Sequence, residues 1–253
     1  MFFSNKLKKF TNIKHCFFSR KNGFSKGIFQ SLNCGLGSKD SEINVLKNLS
    51  YVSNKIGCKK DSLITLNQHH SNQVVYFKNK SSIKNKMPAD AMITKIKSLG
   101  MAILTADCAP IFFYDYKKNI VGCAHAGWKG AFNGIIENTV KKFNELDTLN
   151  ENLIAVVGPC IAKKNYEVKN EFYEKFVTKN SYNENFFEKI SINNYLFDLR
   201  GFINKKISNL NIKNVENIDL DTFSDSENFY SYRRSLQNRE VDYGRCISVI
   251  LMT

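Results

Sequence analysis

Met101-Ala-Ile-Leu-Thr-Ala-Asp-Cys-Ala-Pro-Ile-Phe-Phe-Tyr114 is followed, after Asp115 to Asn119, by Ile120-Val-Gly-Cys-Ala-His-Ala-Gly-Trp-Lys-Gly130. Met101 to Thr105, Ile111 to Tyr114 and Ile120 to Ala124 are apolar, β-prone runs of buried-strand length. Gly127-Trp-Lys-Gly130 ends the third run, and Phe132, Ile136, Val140 and Phe143 then recur at steps of four, four and three. That spacing marks one face of an amphipathic helix. Downstream, Leu153 to Val157 is a short strand ending at Gly158-Pro-Cys160, and Asp198 is placed to cap a helix whose face is Leu199, Phe202 or Ile203, Ile207 and Leu210. Ile218 to Leu220 and Ile247 to Leu251 close the chain as predicted strands. Upstream, His15-Cys-Phe-Phe-Ser19 reads as a strand, Gly23, Gly27, Gly35 and Gly37 punctuate a loop, and Asp40 to Ile56 has helical spacing. Ser62 to Gln68 and Gln73 to Phe77 flank a turn at His69-His70-Ser71-Asn72, and lysine-rich Lys78 to Lys86 reads as a flexible surface loop. Strands and helices interleave irregularly, which predicts an α+β fold of mixed sheets over a regularly wound parallel one.

Composition narrows the function. A chain of 253 residues, 43% hydrophobic and without a Pro- or Gly-rich linker, fits one domain over residues 1–253. No apolar run approaches the roughly 20 residues of a membrane span, and the start lacks a secretory pattern, so a soluble cytoplasmic protein without a membrane partner is the expectation. The net charge of +14 comes almost wholly from scattered lysines, with only six arginines. It reads as a solvated surface and not as a specific nucleic-acid site. Seven cysteines without a CxxC exclude a zinc ribbon and a thioredoxin motif. No GxGxxG, P-loop, GxSxG or HExxH pattern is present.

Three of the four histidines, His69, His70 and His125, stand with Cys108 in polar or glycine-flanked contexts. A His, a Cys and a His from three strand ends make a tetrahedral zinc site with one open position, the arrangement of catalytic zinc. Neighbours in an extended segment point to opposite faces, so His69 and His70 are not expected on the same ion. The plainer alternative is a core thiol, a hydrogen-bonded histidine and a polar turn. A second cluster, Phe229-Tyr-Ser-Tyr-Arg-Arg234 with Gly244-Arg245, suits an anion or a stacked ring, or is simply a basic turn.

Taken together, Gln68-His-His-Ser71, Thr105-Ala-Asp-Cys-Ala-Pro110, His125-Ala-Gly-Trp-Lys-Gly130, Gly158-Pro-Cys-Ile161 and the Tyr-Arg cluster make the chain resemble the bacterial laccase-domain family. This is also called the multicopper polyphenol oxidoreductase or peptidoglycan-editing-factor family, and its members are regarded as zinc-dependent purine nucleoside phosphorylases. Ser19-Arg20, Gly23-Phe-Ser25 and Ser31-Leu-Asn33 look like its N-terminal element, so the similarity runs from about Phe17 to Leu251. The resemblance implies α/β/β/α layers and a Zn2+ held by His70, Cys108 and His125, a site that also binds copper. It implies phosphorolysis of adenosine, inosine, guanosine and S-methyl-5'-thioadenosine, with adenosine deamination as a further activity. Purine nucleosides and phosphate are then the partners, and the chain is expected as a monomer or homodimer. Lys129, Arg233, Arg234 and Arg245 are candidates for phosphate; Arg20, Asn33 and Gln68 for the nucleoside; and Asp107 for general acid/base or metal-supporting work beside Cys108 and His125. Lys129 stands where the family usually has Arg, and Asp221-Thr222 where it tends to have Cys-Thr. The rivals are a cysteine hydrolase or amidase, acting on peptidoglycan precursors through Cys108 and His125, a copper-dependent polyphenol oxidase, and, from another class, a basic RNA-binding protein that binds in a salt-sensitive way without turnover.

Overall fold

A computed structural model describes residues 1–83 and 86–253. Among these residues, one sheet orders its strands Ile13–Phe17, Cys246–Met252, Gly100–Thr105, Leu63–Asn67 and Met87–Pro88. A second orders Asn214–Asn217, Leu153–Val157, Ala109–Asp115, Ile120–Ala126, Ala91–Thr94 and Val74–Phe77. Both mix parallel and antiparallel pairs, so the fold is α+β.

Alternation along the strands stacks the layers. In Ala109–Asp115, Phe112 and Tyr114 enter a core shared with Phe17, Ile103 and Ile250 of the other sheet, while Ile111 and Phe113 face Ile136, Val140 and Phe143. In Cys246–Met252, Ile250 and Met252 join that inter-sheet core, while Ile247, Val249 and Leu251 face Val52 and Ile56 of the helix Glu42–Ile56. Period-two patterning thus gives helix, sheet, sheet, helix. Phe17 and Phe112 stack across the middle with ring centroids 4.4 Å apart, and each buried ring contributes about 2–3 kcal/mol.

The predicted single helix through Phe132 and Phe143 is two helices, Trp128–Asn133 and Ile135–Asn144, broken at Gly134, whose φ of +96° ends the first. The predicted strand at Ile218–Leu220 is displaced: Asn214–Asn217 pairs in parallel with Leu153–Val157 instead. The loop from Lys78 to Lys86 contains a short turn, Lys80–Ser82, capped by Asn79, and its residues 84 and 85 lie outside the described residues. Asp198 caps Leu199–Asn209, its Oδ1 accepting from the amide of Gly201 at 2.8 Å.

A third, three-stranded sheet, Glu167–Lys169, Asn194–Phe197 and Phe187–Lys189, has no counterpart among the predicted elements. It is joined to the helix Asn170–Lys179 by an aromatic cluster around buried Phe176, which touches Phe132, Phe172, Phe187, Phe197 and Phe202. This packing brings Tyr166 and Phe172 up to Trp128, beside the strand ends described next. No helix among the described residues is long and apolar enough to cross a membrane.

Candidate metal centre

Three strand ends meet at one point. Leu63–Asn67 leads into His70, Cys108 immediately precedes Ala109–Asp115, and His125 is the penultimate residue of Ile120–Ala126. His125 lies across from Pro110 in the antiparallel pairing, which sets it next to Cys108. Two turns with left-handed backbone aim the other two side chains, at His70 (φ 60°) and at Asp107 (φ 82°). One ligand atom each from His70, Cys108 and His125 lies within 4.8 Å of the other two, and Cys108 Sγ is 3.7 Å from His70 Nε2. His69 takes no part: it is exposed, with Nδ1 3.1 Å from the carbonyl of Asn67.

The donor set fits a metal. One thiolate and two imidazoles suit Zn2+ and also copper. Room is kept by Gly127, where a Cβ would stand 2.6 Å from Cys108 Sγ. Burial opposes charge on both His125 and Cys108, yet their mutual attraction draws the thiol below its ordinary range and lifts the imidazole above its own. Without a metal the pair thus favours a thiolate beside a protonated imidazole, whose Nε2 proton a bound metal would displace.

Sequence reasoning missed Asp90. It is fully buried at the start of Ala91–Thr94, with Oδ1 2.8 Å from His125 Nδ1. Burial alone would raise its pKa, but hydrogen bonds from His125 and Ser71 hold the carboxyl well below the usual carboxylate range. The available signal was a carboxylate set in an apolar run, Ala89-Asp-Ala-Met-Ile93, which requires a buried partner.

Two clefts share His70 and Cys108. The larger, about 430 Å³, is lined by His70, Cys108, Trp128, Tyr166, Phe172 and Tyr232, with Arg233 and Glu167 among its polar groups. The smaller, about 290 Å³, is lined by His70, Cys108 and His125 together with Gly35, Gln68 and Arg245. Of the residues expected at the substrate, Arg233, Arg245 and Gln68 thus reach a cleft. Gln68 is bidentate to the main chain of Leu104, accepting from its amide at 2.8 Å and donating to its carbonyl at 2.7 Å. Arg245 donates to the carbonyl of Tyr243 and lies 4.1 Å over that residue's ring.

Most of the others are drawn into structure. Arg234 donates to the carbonyls of Thr222, Phe223 and Phe229. Arg20 donates to the carbonyls of Gln30 and Ser226 and lies over Tyr230. Asn33 is buried, donating to Ser38 and Asp40 and accepting from the amides of Gly35 and Arg245. Lys129 is exposed on Trp128–Asn133. Asp107 lines the larger cleft, but its oxygens already accept from Thr222 Oγ1, Ser231 Oγ and the Arg233 amide, at 2.7–2.8 Å. Burial pushes its carboxyl up against those donors. Its observed work is to hold the Tyr-Arg segment against the Cys108 turn. Asp221 serves the same end, accepting from the amides of Ala162 and Phe223 and so presenting Thr222 to Asp107.

A family model described as multi-copper polyphenol oxidoreductase laccase matches residues 14–253. Over 195 residues, the chain is 37% identical to a purine nucleoside phosphorylase of Rickettsia conorii, covering 77% of this chain and 80% of that one. Over 234 residues it is 31% identical to a purine nucleoside phosphorylase of Haemophilus influenzae, covering 92% and 91%. The crystal structure of the Bacillus licheniformis hypothetical protein YfiH shares the fold at a TM-score of 0.89 and 26% identity, covering 95% of this chain and 93% of the other.

Proposed function

The chain belongs to the multi-copper polyphenol oxidoreductase laccase family, and on that footing we propose that it is a metal-dependent purine nucleoside phosphorylase. The names of its relatives support this reading. The observation that carries it is the placement of the His70–Cys108–His125 triad where an aromatic cleft and a polar cleft meet. Phosphorolysis joins two unlike reactants at one carbon: a flat, largely apolar nucleoside and a hydrated dianion. Trp128, Phe172 and Tyr232 suit the base, and Arg245 suits the phosphate. Two expectations from the sequence are thereby exchanged: Gln68, fixed to Leu104, borders the phosphate side, and Arg233 the nucleoside side.

In the reaction, an oxygen of hydrogen phosphate bonds to C1′ of the ribose as the C1′–N9 bond breaks. The electron pair leaves with the purine, and the proton carried by hydrogen phosphate ends on the base. His70, Cys108 and His125 would hold Zn2+, with copper the alternative for the same donors; bound there, the ion supplies Lewis-acid stabilisation of negative charge. The chain's own contribution is alignment of the two reactants. Adenosine, inosine, guanosine and S-methyl-5'-thioadenosine are the substrates of this reading, with adenosine deamination alongside. Incubating purified protein with inosine, with and without phosphate, tests it. Hypoxanthine and ribose 1-phosphate should form only with phosphate, and phosphate-independent release of free ribose would replace the reading with hydrolysis.

One observation favours a second reading. Cys108, His125 and Asp90 stand in the order of a thiol nucleophile, its base and the group that orients the base, as a cysteine hydrolase requires. Alkylation separates the two. A metal-bound sulfur reacts slowly until a chelator is added, whereas a nucleophile is labelled at once.

A further inference from the structure

We propose that Asp90 is the positioning residue of the metal centre, one carboxylate that sets two histidine ligands at the same time, one on a strand and one in a turn. Its Oδ1 accepts from Nδ1 of His125 at 2.8 Å and from the backbone amide of His70 at 3.0 Å. Its Oδ2 accepts from the amide and hydroxyl of Ser71 at 2.6 and 2.7 Å and from the amide of His69 at 3.2 Å. Its own carbonyl accepts from the amide of His125 at 2.7 Å. The proposal rests on the reading of His70, Cys108 and His125 as ligands.

Two consequences follow from this geometry. With Nδ1–H donated to a carboxylate, the imidazole of His125 keeps its lone pair on Nε2, the nitrogen turned away from Asp90. Meanwhile the three successive amides of His69, His70 and Ser71 converge on one anion, and this holds the chain at His70 in its left-handed conformation. An ionised carboxylate can accept at all of these points, whereas an amide would turn an NH2 group toward donors on one side. Only a buried anion therefore serves both ligands.

Apo protein is titrated with Zn2+ against a chromophoric chelator, and Co2+ is used as a spectroscopic probe of the same site. Wild type should bind one equivalent, lost in Cys108→Ala. Asp90→Asn should bind Zn2+ about 10- to 100-fold more weakly. Its Co2+ absorption should lose intensity in the d–d region as His125 leaves, while the sulfur-to-cobalt band from Cys108 persists. Thermal unfolding of the apo protein distinguishes positioning from a merely structural role. A lowered apo midpoint with unchanged Zn2+ affinity of the folded fraction would overturn the proposal. Should Asp90→Asn fail to fold, Ser71→Ala removes one hydroxyl from Oδ2 and should weaken Zn2+ a few-fold; unchanged affinity there overturns it too. Wild type that binds no metal through Cys108 would instead defeat the metal reading itself, and the proposal with it.

Discussion

Gly127 and Cys108 share one space: a Cβ on Gly127 would stand 2.6 Å from Cys108 Sγ and 2.9 Å from Cδ2 of His70. Its φ is −76°, open to any L residue, so the requirement is for volume and not for backbone freedom. Gly127→Ala should therefore push two ligands apart while the strands stay paired. The expected stability cost is about 1–3 kcal/mol, typical of overpacking. On the proposed reading of a zinc site, loss of zinc should exceed what that cost explains. Zinc content and thermal midpoint, measured on one preparation, check this; full zinc in Gly127→Ala would refute it.

The tandem histidines make a sharper comparison. His70 Nε2 approaches the sulfur, while the His69 ring is turned to the carbonyl of Asn67. Because His70 sits at φ 60°, His70→Asn is the fair substitution, since Asn tolerates left-handed backbone better than Ala does. Zinc should be lost in His70→Asn and kept within a few-fold in His69→Ala. Equal retention in both would remove His70 from the ligand set.

The distance between sequence and site is instructive here. Cys108 and His125 stood out as chemistry-bearing residues at the ends of strand runs, but their spacing is unspecific and their reading as ligands came from the family resemblance. The layer order came from the family resemblance, because Ala109–Asp115 and Cys246–Met252 are buried along their whole length and show no alternation in sequence; only the fold shows which side chains face which layer. Asp90 was not legible, since a lone Asp between alanines has no motif, and its meaning lies in pairing with residues 19 to 35 positions away. Asn33 and Arg234 illustrate the converse. A polar side chain in a loop serves a ligand or the loop's own backbone equally well on paper, and only the fold shows carbonyls waiting for Arg234. The small sheet was invisible for a related reason: Glu167–Lys169 and Phe187–Lys189 are three residues each, too short for a period to show.

The arginines divide accordingly. Arg245 lines the polar cleft, and removing its charge should raise the KM for phosphate by roughly 10- to 100-fold, the scale of a lost charge-assisted pair. The KM for inosine should change only a few-fold. Arg234→Gln should behave differently, because it strips three carbonyls of their donor. Its expected effect is roughly 2–4 kcal/mol of lost stability, with kinetic constants of the folded fraction preserved. Saturation curves in both substrates, set beside urea midpoints, decide it. A phosphate effect at Arg234 larger than at Arg245 would reverse the assignment.

Acid should weaken the fold through His15. Its Nε2 accepts from the amide of Ser4 at 2.8 Å, and the ring is buried against Phe3 and Phe112. Burial, helped by Lys8 and only partly opposed by Glu216, brings its pKa down to about 4. The unfolded chain, titrating near about 6.5, therefore takes up the proton first on acidification. The stabilisation is complete above about pH 6.5 and is lost as pH falls toward 4, amounting to roughly 3 kcal/mol for a shift of that size. Glu216 follows at lower pH. Its carboxylate accepts from Ser4 Oγ and the amides of Asn5 and Lys6 and is held below its ordinary range despite burial, so its contribution is lost only as pH drops beneath that range. His15→Gln keeps an acceptor for Ser4 without a titrating group. Urea midpoints at pH 7, 5.5 and 4.5 should fall steeply in wild type and far less in His15→Gln over the same interval. Parallel curves would mean that the ring of His15 is not where the proton is resisted.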